Sequence, residues 1–166
     1  MGKRLERSAA PSARFAASSA ACAIACIAVG FASSALAPRD DWYDALRKPI
    51  WTPPGWLFGV VWTVLYAMMG IALSIILARG RHRGVGRATT LFAIQLALNA
   101  AWSPVFFGLH SIDGALAIVV LLWLLLAWTV AAFWSVRDAA GVLLVPYWLW
   151  VTFATALNAA IWRMNG

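Results

Sequence analysis

The chain is 166 residues long, 63% of them hydrophobic and 11% charged, with a formal net charge of +7. A mean hydropathy of +0.80 excludes an ordinary water-soluble domain, which carries about 25% charged residues. The thirteen Lys and Arg residues fall in short segments between apolar runs, so the positive charge reads as membrane topology and not as a nucleic-acid surface.

Residues 1–14 set Lys3, Arg4, Arg7 and Arg14 against Glu6 and are expected to form a basic N-terminal arm. Residues 15–36 are rich in Ala and Ser and moderately apolar. Two readings stay open for them: a first membrane helix whose small residues let neighbours approach closely, or a signal peptide cleaved at Ala35-Leu36-Ala37. The length of the run and Pro38 as a new N-terminus favour the helix. Cys22 and Cys26, four apart on one helical face, read as small apolar filler in preference to a metal or redox pair.

The segment 39–51 mixes Asp40, Asp41 and Asp44 with Arg39, Arg47 and Lys48 around Trp42 and Tyr43, and predicts a folded cap over one membrane face. The stretch KPIWTPPGWLFGVVWTVLY, Lys48 to Tyr66, turns this cap into a helix. Pro49 holds its predecessor extended, Pro53 and Pro54 suit a first turn, and Thr52 suits an N-cap. Residues 55–77 then run 23 positions without a charge, enough to cross a hydrocarbon core of about 30 Å. Trp51 and Trp56 flank the start of this run, where indoles favour the membrane interface.

RGRHRGVGR ends the second span, and further spans are expected at 88–109, 115–135 and 142–163. Their breaks, HSIDG and SVRDAAG, are short, so consecutive helices should be antiparallel neighbours. The fold class is therefore an all-α membrane protein: a bundle of five transmembrane helices (15–36, 55–78, 88–109, 115–135, 142–163) forming a single domain over 15–166. The arm, the arginine turn and Arg137 put nine cations on one side, against Arg39, Arg47, Lys48 and Arg163 on the other. That asymmetry predicts a cytoplasmic N-terminus.

At about 100° per residue, Gln95, Asn99, Trp102 and Phe106 share one arc of the third span, with Ala93, Ala97, Ala100 and Pro104 opposite. Uncharged amides in a membrane need a neighbouring helix or a cavity, so the Gln95/Asn99 face should point inward. Ala93, Ala97 and Ala101 form a small-xxx-small stripe that packs either within the chain or against a second subunit. On the second span Phe58, Trp62, Tyr66 and Met69 align. On the fifth, Tyr147, Trp150, Ala154, Leu157 and Ile161 align, with Asn158 at the edge. Three converging stripes would make an apolar pocket for a flat hydrophobic ligand; alternatively the aromatics only fill the core. His82 among four arginines is topology or a contact for an anion. No Ser/His/Asp set, metal-ligand spacing or phosphate loop is present in the sequence. Paired Gly/Pro breaks and intramembrane charges of ion-coupled carriers are also missing.

Three motifs, WYDALRKPIWTPPGWLFGVVWTVLY (42–66), FAIQLALNAAWSPVFF (92–107) and VPYWLWVTFATALNAAIW (145–162), closely resemble the TspO and translocator protein family, also called tryptophan-rich sensory proteins or peripheral benzodiazepine receptors. The match covers about residues 20–165. It implies a membrane receptor or carrier, commonly homodimeric, that binds tetrapyrroles (protoporphyrin IX, haem) and benzodiazepine-like ligands and is linked to tetrapyrrole or stress regulation. No obligatory cofactor is implied; porphyrin or haem is a ligand. By motif position it implies Tyr43, Trp62, Asn99, Trp102, Trp150, Ala154 and Leu157 as pocket residues, to which the aligned faces add Tyr66 and Tyr147. It also implies an alternative, light- and oxygen-dependent porphyrin degradation using Trp62 and Trp150. The sterol motif of the last helix would use Leu157 and Arg163, but its tyrosine is replaced by Ala159, which argues against strong sterol binding. The composition reads as bacterial, with the inner membrane expected and an outer membrane possible by analogy.

Overall fold

A computed structural model describes residues 6–166, with side chains from Ser12 onward; Lys3 and Arg4 of the expected arm lie outside the described residues. Helix α1 runs Glu6–Leu36, so residues 6–14, expected as an arm, are a helical extension of the first span. Their Glu, Arg and Ala residues are good helix formers and favour continuing it. The short α2 (Asp41–Ala45) lies in the cap. Then follow α3 (Gly55–Leu77), α4 (Val85–Ser103), a π-helical turn (Pro104–Gly108), α5 (Ile112–Val136) and α6 (Asp138–Asn165). Five helices are long and apolar enough to cross a membrane, and no strand occurs among the described residues.

The prolines before α3 differ in detail from expectation. Pro54 is the N-cap, at φ −62° and ψ 145°, and the helix begins at Gly55; Thr52 and Pro53, each followed by a proline, are kept out of the helix by the pre-proline clash. Thr52 does not cap α3; its Oγ1 donates to the carbonyl of Pro49, 2.7 Å away. Helices α5 and α6 begin about a turn before the expected positions. Ser111 caps α5 by accepting from Gly114 N–H at 3.2 Å, and Asp113 and Asp138 occupy first turns, where the helix dipole favours a carboxylate.

The spans form a ring in the order α1, α3, α6, α5, α4. Contacts between α3 and α4 are sparser than those of α3 with α1 and α6, so the second and third spans are lesser neighbours than their short link suggests. Helix α1 approaches α3 closely through small residues. A Cβ on Gly70 would stand 2.3 Å from Ala23 Cα, and one on Gly30 would lie 2.1 Å from the Tyr66 ring. The ring closes between α1 and α4 through one specific contact. Pro104 has no N–H to give the carbonyl four residues earlier, and Ser33 Oγ fills the vacancy, donating to Ala100 O at 2.6 Å. In hydrocarbon a carbonyl without a donor is costly. Ser33→Ala should therefore lower thermal stability in detergent by about 1 kcal/mol, whereas Ser34→Ala, whose hydroxyl only back-bonds to Gly30 O, should be neutral.

The two ends of the bundle differ in chemistry. One gathers the arginine turn beside Val136, where Gly84 packs. The other gathers the cap, the π turn, the start of α5 and the end of α6. There Trp162 Nε1–H donates to the Asp113 carboxylate, and Asn165 exchanges two 2.9 Å bonds with the backbone N–H and C=O of Arg47.

Candidate functional site

The half of the bundle nearest the cap encloses a cavity of about 420 Å³, within the usual range for small-molecule sites of about 300–1,000 Å³. All five spans and the cap contribute to its wall. Helix α3 gives Phe58, Trp62 and Tyr66, α4 gives Asn99 and Trp102, and α6 gives Ala154, Leu157 and Asn158. The 3.6-residue period puts each set on one inward stripe.

Behind the wall, a hydrogen-bonded chain ties three helices together. Tyr66 O–H donates to Asn99 Oδ1, Asn99 Nδ2–H donates to Tyr147 Oη at 2.9 Å, and Tyr147 O–H donates to Gln95 Oε1 at 2.9 Å. Gln95 and Tyr147 are wholly buried; the Tyr147 hydroxyl both accepts and donates, whereas Gln95 engages only Oε1 and its Nε2 has no partner among the described residues. The inward-facing amide stripe thus serves mainly to join α3, α4 and α6. Trp102 and Asn158 belong to the wall, but Trp102 Nε1 and Asn158 Oδ1 are themselves buried, with no protein partner among the described residues.

Pro104 also shapes the roof. The π turn it starts, closed by Leu109 N–H on Pro104 O at 2.9 Å, turns both Phe106 and Phe107 toward the cap. Trp102 stacks on Phe106 with centroids 4.9 Å apart, and Tyr43 meets Phe107 edge-on at 5.3 Å. Single π turns of this kind recur at functional sites.

The cap sits on this aromatic layer. Asp40 caps α2, and Lys48 Nζ closes its other end on the carbonyls of Tyr43, Leu46 and Asp44 at 2.5, 3.0 and 3.1 Å. The Tyr43 ring lies between two cations, Arg39 at 4.4 Å and Lys48 at 4.5 Å. Burial pushes the Tyr43 phenol above its ordinary range, with Arg39 opposing and Asp44 adding to the shift. Asp40 also accepts from His110 Nε2 at 2.9 Å, and Trp42 stacks on that imidazole at 4.4 Å. Desolvation is the largest single influence on the Asp40 carboxyl and raises it, but the hydrogen bond and charge of His110 together with the Tyr43 N–H outweigh it and hold the group below its usual value.

Of the residues expected in the pocket, Tyr43, Trp62, Tyr66, Asn99, Trp102, Ala154 and Leu157 are on the wall. Tyr147 and Trp150 are not. Tyr147 is one layer behind, edge-on to Trp62 at 5.9 Å. Trp150 packs against Phe58 at 5.7 Å and Phe153 at 5.3 Å, because its stripe on α6 is centred on Tyr147 and Leu157 and the indole falls to one side. Sequence reasoning missed Ser33, Ser34, Arg39, Thr63 and Phe107 on the wall. Phe107 was hidden by the π turn, and Ser33 and Ser34 by an Ala/Ser-rich helix with no clear polar face. Ala93 and Ala97 are exposed on the outer side of α4, with Ala101 half-buried. His82 and the arginines of its turn lie at the other end of the bundle from the cavity, and no group of metal-ligating side chains occurs among the described residues.

A model of the TspO/MBR family matches residues 21–163. The chain belongs to the TspO/MBR family. Protein CrtK of Rhodobacter capsulatus is 42% identical to it over 143 residues, spanning 86% of this chain and 89% of that relative. Tryptophan-rich protein TspO of Chlorobaculum tepidum is 47% identical over 149 residues, or 88% of this chain and 94% of its own. The human translocator protein is 39% identical over 126 residues, 75% of each chain. In this member of the TspO/MBR family, the matched region takes in every residue of the cavity wall.

Proposed function

We propose that this protein is a membrane receptor or carrier that binds tetrapyrroles such as protoporphyrin IX or haem, and benzodiazepine-like ligands, within the cavity under the cap. One observation carries this reading. The cavity is aromatic on several sides and nearly uncharged, with the amide side chains of Asn99 and Asn158 among its wall residues, which suits a flat apolar ring with a few polar atoms. Coupling of occupancy to tetrapyrrole or stress regulation, and residence in a bacterial inner membrane with a cytoplasmic N-terminus, belong to the same proposal.

Titration of the detergent-purified protein with protoporphyrin IX in the dark, followed by tryptophan emission, tests it. Binding should saturate, and Trp62→Phe should weaken it by roughly threefold to tenfold, the range for losing one favourable aromatic contact. Trp150→Phe, off the wall, should leave the affinity unchanged. Absence of saturable quenching in the unmodified protein would refute the reading.

An oxidative reading has one feature in its favour: Trp62 borders the cavity and its ring neighbours Tyr66 at 5.5 Å as well as Tyr147. An indole so placed can give an electron to a photoexcited porphyrin, with dioxygen as the co-substrate that is consumed. Illumination of the loaded protein should then yield a product absent from Trp62→Phe; bleaching at the rate of free porphyrin would exclude it.

Homodimer formation through Ala93, Ala97 and Ala101 is the matching proposal for the outer face of α4, since small residues, here two exposed and one half-buried, allow close helix approach in lipid. Ala97→Phe should shift the protein to the monomer position on gel filtration, and an unaltered dimer would rule this face out.

A further inference from the structure

Among the described residues, Arg39 is the single charged one on the cavity wall. It stands where the cap meets the start of α3, so one end of an otherwise uncharged chamber carries a cation. The guanidinium is only half engaged. Its Nε and Nη2 both donate to one oxygen of Asp44, at 3.2 and 2.6 Å, while Nη1 has no hydrogen-bond partner among the described residues. Nη1 instead lies over Gly55, another wall residue, where a Cβ would come within 2.9 Å of it. The lack of a side chain at Gly55 thus leaves the room that this nitrogen occupies. The pair itself is about half exposed, at 48% for Arg39 and 62% for Asp44, and an ion pair so wet holds weakly. The Tyr43 ring beneath the guanidinium keeps the planar group oriented even when its carboxylate partner changes.

We propose that Arg39 is the anion-recognition residue of the cavity: it binds a carboxylate at the edge of a flat apolar ligand through Nη1 and, on full engagement, exchanges Asp44 for it. The inference rests on the cavity being the ligand site proposed above and adds to it a substrate class, an amphipathic ring acid held with its acidic edge under the cap and its apolar body against Trp62 and Trp102. Guanidinium groups match carboxylates through parallel N–H donors. Asp44 in this arrangement is an internal competitor: it occupies the guanidinium in the empty protein and costs every anionic ligand the breaking of one ion pair. Neutral ring ligands incur no such cost and gain nothing from Arg39.

The experiment compares protoporphyrin IX with its dimethyl ester, titrated in nonionic detergent without added lipid, so that no anionic headgroup takes the same place. The quantity read is the acid-to-ester affinity ratio, compared between proteins so that partition into detergent cancels. Arg39→Gln should reduce this ratio by about tenfold, as expected for one charge-assisted contact, with ester affinity unchanged. Asp44→Asn should raise it. An unaltered ratio in Arg39→Gln, with both ligands still bound, overturns the proposal. Should Arg39→Gln lose the ester as well, Asp44→Asn decides: a raised ratio supports the role of Arg39, and an unaltered one overturns it. Failure of the unmodified protein to bind either ligand refutes the cavity reading itself, a different result from equal binding of both.

Discussion

Gly70→Val should be among the most damaging single changes in the molecule. The added carbons would meet the backbone of Cys22 and Ala23, within 2.5 Å of a Cβ at position 70, and backbone cannot swing aside as a side chain can. Overpacking in a close-packed interior costs about 1–3 kcal/mol when side chains absorb it, and here α1 must back away from α3. Little else holds α1, since among the described residues its other substantial helical partners are α4 and the π turn. The expected result is a loss of about 3 kcal/mol or more, seen as a fall in monodisperse yield and in the unfolding temperature in detergent. Gly59→Ala is the control, because a Cβ there meets nothing within 4 Å; equal behaviour of the two variants would contradict the close α1/α3 packing.

The second large effect is expected at Asn99. Its amide accepts from Tyr66 and donates to Tyr147, so Asn99→Leu strands the Tyr66 hydroxyl and takes one of two partners from Tyr147 at the junction of α3, α4 and α6. A buried polar group left unpaired costs about 1–3 kcal/mol in water-soluble proteins, while interhelical bonds within membranes average about 0.6 kcal/mol. Tyr147 keeps Gln95 as its acceptor, which limits the damage to about 2 kcal/mol. Affinity should fall too, because Tyr66 is then free to rotate into the cavity that it borders. Asn99→Asp keeps an acceptor for Tyr66 but introduces a charge, and should be worse than Asn99→Leu for stability at neutral pH. A variant as stable as the unmodified protein would show that the chain of bonds is dispensable.

Much of this arrangement is legible in the residues because the spans are long and strongly apolar. The 23 uncharged residues of α3 are bounded by two prolines and an arginine turn, and such a run has one outcome in a bilayer. The inward stripes could be read from period alone: Trp62 with Tyr66, and Asn99 with Trp102, all reach the wall. What escaped are consequences of tertiary contact. No local rule assigns Ser33 to the carbonyl released by Pro104, since Ser33 and Ala100 are 67 positions apart. In the sequence Arg39 is one more charge of the cap segment, and only the fold of the cap over the start of α3 brings it to the cavity wall. Trp150 shows the converse limit, for it lies on a stripe that is inward on average while its own indole packs on Phe58 beside the chamber.

The ring order also bears on how the protein is made. Helix α6 is the last of the five spans to leave the ribosome, yet it packs between α3 and α5 and supplies Val151, Ala154, Leu157, Asn158 and Ile161 to the wall. Asn165 then pins the cap through Arg47. Until that span is inserted, the nascent bundle is an open trough with Tyr66 and Asn99 lacking Tyr147. The wall of the chamber is therefore completed in a single late step of biosynthesis, and a chain arrested before α6 has membrane helices but a chamber lacking one side.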